Sequence, residues 1–130
     1  MIGNDKRPRE LDMATYSISI DAAVRFANNL GLNGVETARI LGFEITQDDE
    51  LPCLIKHAKL YPSHDVDERV WLLVNLMGEL GVFYEKESFP EKFREARADL
   101  KGESLYSLAV SGDLADFTVA VDHLWQMLAR

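Results

Sequence analysis

The chain has 130 residues, a hydrophobic fraction of 47% and a net charge of −8, which suits one packed domain or one domain with a small appended module. No apolar run approaches the roughly 18–20 residues of a membrane span, and the polar opening MIGNDKRPRELDM lacks a signal-peptide core. The single cysteine, Cys53, excludes an internal disulfide framework and fits a reducing, cytoplasmic setting, while the acidic balance disfavours non-specific nucleic-acid binding.

In chain order, residues 1–14 are mixed in charge and poor in apolar side chains, and read as a frayed tail. In YSISIDAAVRFANNLGLNG, Ser19 or Asp21 is placed to cap a helix whose inward face is Ala23, Phe26, Ala27 and Leu30, with Gly31 at its end. The alternation in YSISI is too short to support a strand. A short helix follows over residues 35–41 and stops at Gly42.

The next helix is expected from near Asp48 to Leu60, its acidic start suiting a helix N-terminus and Pro52 fitting only the first turn. Cys53 in LPCLIKH reads as buried filler. Between these helices, Ala38 and Gly42 have the small-residue and turn-glycine spacing of a helix-turn-helix. A recognition helix needs bases and amides for base edges and phosphates, whereas this one opens Gln47-Asp48-Asp49-Glu50. DNA binding is therefore disfavoured, and no residue is assigned to it.

After the break at residues 61–64, Asp65 and Glu68 have capping-box spacing and open a long helix over residues 66–84. Val66, Val70, Leu73, Val74, Met77, Leu80 and Tyr84 form one stripe, widened by Leu72, Leu76 and Phe83. A helix so patterned packs on two sides and reads as a central beam. Trp71 and Val82 fall on the other face and suggest a partner surface. SFPE at 88–91 reads as a further capping box, starting a modest helix to about Ala98.

The last stretch, 102–128, is purely acidic among its charged side chains. Ser104 can cap a short helix over residues 105–110, Ser111-Gly112 breaks the chain, and Asp113 can cap a final amphipathic helix. Its apolar face is Leu114, Phe117, Val121, Leu124, Trp125 and Leu128. Val119, Asp122, His123 and Gln126 project away from that face, and Leu128 and Arg130 extend the set toward the chain end. These six are the candidate partner-binding residues.

Chemistry is sparse. His57, His64 and His123 are far apart, Cys53 and His57 lack a third ligand, and no phosphate loop or nucleophile elbow is present. The expectation is a non-enzymatic chain with no cofactor, no metal site and no catalytic residue. The fold class expected is all-α, with a helix-turn-helix-like unit over 15–62 and the central helix plus a small C-terminal helical domain over 63–130.

Taken together, LGLNGVETARILGF, DERVWLLVNLMGELGVFY and LKGESLYSLAVSGDLADFTVAVDHLWQML resemble the MbcA/ParS/Xre family of bacterial antitoxins over about residues 21–130. Gly102, Leu105, Leu108, Gly112 and the Val121/Leu124 face follow that family's C-terminal plan. Ser104 stands where its members usually carry proline, and the tryptophan common before the glycine turn is absent. The resemblance implies a type II antitoxin whose partner is a cognate RES-domain, NAD-degrading toxin, inhibited when the C-terminal domain covers its active site. Trp71, Val82 and Val119, apolar and outward-facing, suggest self-association or a partner, and so a homodimer or a hetero-oligomer with the toxin. The residue pattern alone leaves two further readings open, a helix-turn-helix transcription regulator and a helical interaction adaptor.

Overall fold

The computed structural model describes residues 13–111 and 113–128, and leaves the side chains of residues 13–15, 123, 125, 127 and 128 undescribed. Seven α-helices and no strand occur among the described residues: α1 Met13–Asn29, α2 Gly34–Ile40, α3 Leu51–Leu60, α4 His64–Phe83, α5 Phe89–Arg94, α6 Leu105–Ala109 and α7 Leu114–Leu128. Short 3-10 turns precede α3 and α5 and lie between α5 and α6. The fold is all-α, as expected, and no helix in it is long and apolar enough to cross a membrane.

Helix α1 starts earlier than the sequence suggested. Tyr16 and Ile20 are as deeply buried as Ala23, Phe26, Ala27 and Leu30, so the inward stripe runs unbroken through YSISI. Ser19 and Asp21 therefore lie inside the helix and cap nothing; Asp21 instead holds Lys59 of α3 at 2.7 Å. Met13 and Ala14, assigned to the tail, belong to α1, while residues 1–12 of that tail lie outside the described residues.

A capping box closes the start of α2, with the Asn33 side chain accepting from the Glu36 amide and Glu36 accepting from the Asn33 amide. Asp48 adds a further acceptor, its carboxylate 2.9 Å from the Val35 amide. This explains the acidic residue that broke the helix-turn-helix pattern: it faces the positive end of α2. A side chain at Gly34 would meet the Asp48 carbonyl oxygen at 2.5 Å, so the approach requires glycine. Gly42, at φ +94°, ends α2 with its Cα against the Arg69 and Asp65 side chains of α4.

Helix α4 is the central beam, packed on α1 along one side and α7 along the other. Val66, Val70, Leu73, Leu76 and Leu80 join side chains of α1, α5, α6 and α7 in one apolar core. Its N-cap is Ser63, not Asp65; helix starts at His64, which places Asp65 in the first turn, where it pairs with Arg69 at 3.1 Å.

The capping box expected at residues 88–91 does not form. The 3-10 turn Lys86–Ser88 runs directly into α5, so Ser88 has helical dihedrals, and its hydroxyl donates to the Glu85 carbonyl. Helix α5 ends at Arg94, short of Ala98, because the chain turns extended at Glu95. Ser104 caps α6 as expected, and Asp113 caps α7 by accepting from the Ala115 amide at 2.8 Å. Cys53 is exposed, on the same outer face of α3 as Lys56 and His57, and is not core filler.

Candidate functional site

Two helices that the sequence presented separately come together along their outer edges. On α7, Val119, Asp122 and Gln126 follow one another at helical spacing and all three are exposed, Val119 by 60%. Phe117, Val121 and Leu124 of the same helix are buried, as read from the pattern, while Leu114 is half-buried and the side chains of Trp125 and Leu128 lie outside the described residues. On α4, Trp71, Asn75, Gly78 and Val82 make a second exposed line, Trp71 at 46% and Val82 at 76%.

Between the two lines lies a groove of about 330 Å³ lined by Leu72, Asn75 and Glu79 of α4 and Val121 and Asp122 of α7. Leu72 and Val121 are its apolar lining residues, Asn75 is polar, and the two charged side chains among the described lining residues are both carboxylates. Glu79 Oε2 is shut from solvent and has no hydrogen-bond partner among the described residues. Burial, and then the Asp122 carboxylate across the groove, push the Glu79 pKa above its ordinary value. A carboxylate oxygen withdrawn from water without a donor is costly, so this edge of the molecule is electrostatically incomplete.

Of the six candidate partner-binding residues, Val119, Asp122 and Gln126 thus lie on one exposed edge, and Asp122 enters the groove. The side chains of His123 and Leu128, and all of Arg130, lie outside the described residues. Leu72, Asn75 and Glu79 were not singled out as a site by sequence. The signal for Glu79 was there: it is the one charged residue between Val70 and Phe83 in the run VWLLVNLMGELGVF, where Asn75 is the other polar side chain.

Elsewhere the chemistry is structural. The His57 and Tyr61 rings lie 4.8 Å apart, tilted by 41°, and no three metal-ligating side chains gather among the described residues. The outer face of α3, where a recognition helix would read DNA, offers Lys56 and His57, while Lys59 is held by Asp21. So few cations give little counterion release on phosphate. Comparison of the chain with protein-family models, curated proteins and solved structures found no match.

Proposed function

We propose that this chain is the antitoxin of a type II toxin-antitoxin pair, and that it neutralises its partner by laying the α4–α7 edge over the toxin's active-site cleft. The observation that carries the reading is the groove itself, with Leu72 and Val121 in its lining, an exposed line on each helix, and two carboxylates as the charged side chains among its described lining residues. A cleft built to hold a dinucleotide pyrophosphate is basic, and this surface complements it in charge. The exposed apolar side chains supply the anchor, and the carboxylates orient it and speed the encounter. No chemistry by the chain itself is required; it acts by occupying space the substrate needs. The resemblance to the MbcA/ParS/Xre antitoxins makes the partner an NAD-degrading RES-domain toxin.

Co-expression with the product of the adjacent gene tests this. Co-purification together with protection of NAD supports it, and a neighbour that neither binds the chain nor consumes NAD removes the proposal. The regulator reading is less well favoured, because the run Gln47–Glu50 is acidic where base and phosphate contacts would be needed, and Asp48 serves there as an acceptor at the capped start of α2.

A further inference from the structure

We propose that the outer face of α3 is a self-complementary surface on which two copies of this chain pair about a two-fold axis, with their α3 helices antiparallel. The proposal goes beyond the antitoxin reading and does not rest on it, since α3 packs on α1 and α2 while the toxin-covering edge is built from α4 and α7.

The face is an exposed line along one side of α3 and the 3-10 turn that leads into it. Asp49, Cys53, Lys56 and Leu60 follow one another at alternating steps of four and three residues, the spacing of a helix seam. Glu50, His57 and Tyr61 flank that line, and all seven side chains are exposed. Leu60 at 62% and Tyr61 at 67% are among the most exposed large apolar side chains described. The Tyr61 ring lies beside His57 and carries the face past the end of the helix.

Charge runs along this face in one direction. Asp49 and Glu50 stand at its start, and Lys56 and His57 toward its end. Among the described residues neither Asp49 nor Lys56 has an ion pair, whereas Lys59 is held by Asp21 of α1. That polarity suits the dipole of α3 itself, but the dipole accounts only for the charges and not for Cys53, Leu60 and Tyr61 standing in water among them.

The same polarity selects the occupant. An acidic partner would match only the end of the face, a basic one only its start, and DNA would meet the acidic start. A second copy turned end for end matches both. With the axis near Cys53, midway along the face, Lys56 of each copy meets Glu50 of the other and His57 meets Asp49. Leu60 and Tyr61 then lie over the 3-10 turn ahead of the other copy's α3. The helix that a helix-turn-helix would insert into DNA thereby becomes a dimer seam. A helix of this length spans only about 15 Å, so the contact is small and the dimer is weak, forming at roughly tens of micromolar or above.

Sedimentation of the full chain at low salt, from about 10 μM to about 1 mM, tests this. The parent, Lys56→Glu, Glu50→Lys and an equimolar mixture of the two variants are compared, each checked for helicity by circular dichroism. Positions 50 and 56 do not face one another within a chain, so the reversals act through the second copy. The parent is expected to dimerise with rising concentration, each single variant to do so at least about tenfold more weakly, and the mixture to regain the dimer because each glutamate then meets a lysine. A parent that stays monomeric throughout, a dimer indifferent to both reversals, or a mixture no better than its parts overturns the proposal. Alkylation of Cys53 in the parent is the second measurement, fast in the dilute chain and slower as concentration rises through the dimer range. A rate independent of concentration while the dimer forms places the seam elsewhere and overturns the proposal too. None of these outcomes bears on the pairing with a toxin.

Discussion

The Tyr106 hydroxyl of α6 donates a hydrogen bond to the Glu36 carboxylate in the first turn of α2, linking the N-terminal and C-terminal halves of the sequence. The Arg94 guanidinium lies over the Tyr106 ring at 4.1 Å and 3.6 Å from the same carboxylate. Burial acts to raise the Glu36 pKa, but the Tyr106 hydroxyl, the Asn33 amide and Arg94 outweigh it and hold the group below its ordinary value. Tyr106 is pushed up, chiefly by its bond to Glu36.

Removing that hydroxyl should loosen the link between the α2 and α6 regions. Tyr106→Phe is expected to cost about 1–2 kcal/mol in denaturant unfolding. Because the Glu36 pKa is lowered on folding, its stabilisation is present above the unfolded value and is lost as pH falls through the folded one. Glu36→Gln should therefore flatten the acid limb of the stability profile. An unchanged acid limb would show that the carboxylate is not held by these partners.

Gly34 and Gly42 mark where the backbone leaves no room for a side chain. Gly42→Ala places a Cβ 2.9 Å from Arg69 Nε in a left-handed conformation, and about 1–3 kcal/mol of destabilisation is expected. Gly34→Ala meets backbone, not a movable side-chain tip, and should be the worse of the two. Gly78→Ala is the control: nothing lies within 4 Å of its added methyl, and it should be neutral or slightly stabilising. Thermal melts of the three variants rank them.

Glu79 opposes the fold when ionised. Its pKa is raised on folding, so stability is lost as pH rises from the unfolded value through the folded one. Glu79→Gln is expected to stabilise the free chain slightly at neutral pH, by less than about 1 kcal/mol because solvent screens the partly exposed side chain, with the gain fading in acid. Chemical denaturation at neutral and acidic pH checks both the sign and its pH dependence.

Cys53 is exposed on α3 and should react with a thiol reagent in the native state at a rate close to that of a free thiol. A rate limited by unfolding would place it inside the core after all.

Much of the helical plan was legible because it is written in local chemistry. The apolar stripe of α4, the Ser104 and Asp113 caps, and the burial of Phe117, Val121 and Leu124 all follow from periodicity and N-cap preference. The start of α1 was missed because Ser17 and Ser19 interrupt its apolar pattern while Tyr16 and Ile20 keep the inward stripe going. The SFPE turn misled because a capping box needs an extended cap residue, and the preceding 3-10 turn leaves Ser88 helical.

At the candidate site, Val119, Asp122 and Gln126 were legible as an outward stripe of one helix. Their opposition to Glu79 was not, since the groove exists only once α4 and α7 pack side by side. The same holds for Asp48, whose capping of Val35 reaches across 13 positions and reads in the sequence only as a flaw in a motif.

The most direct test of the central claim is the affinity of the full chain for the product of the adjacent gene, measured by calorimetry beside Asp122→Arg with helicity checked by circular dichroism. Tight binding by the parent chain, weakened about a hundredfold or more in an equally helical Asp122→Arg, is the predicted result. An Asp122→Arg variant that binds and protects NAD as well as the parent would contradict the assignment of the α4–α7 edge as the toxin-covering surface.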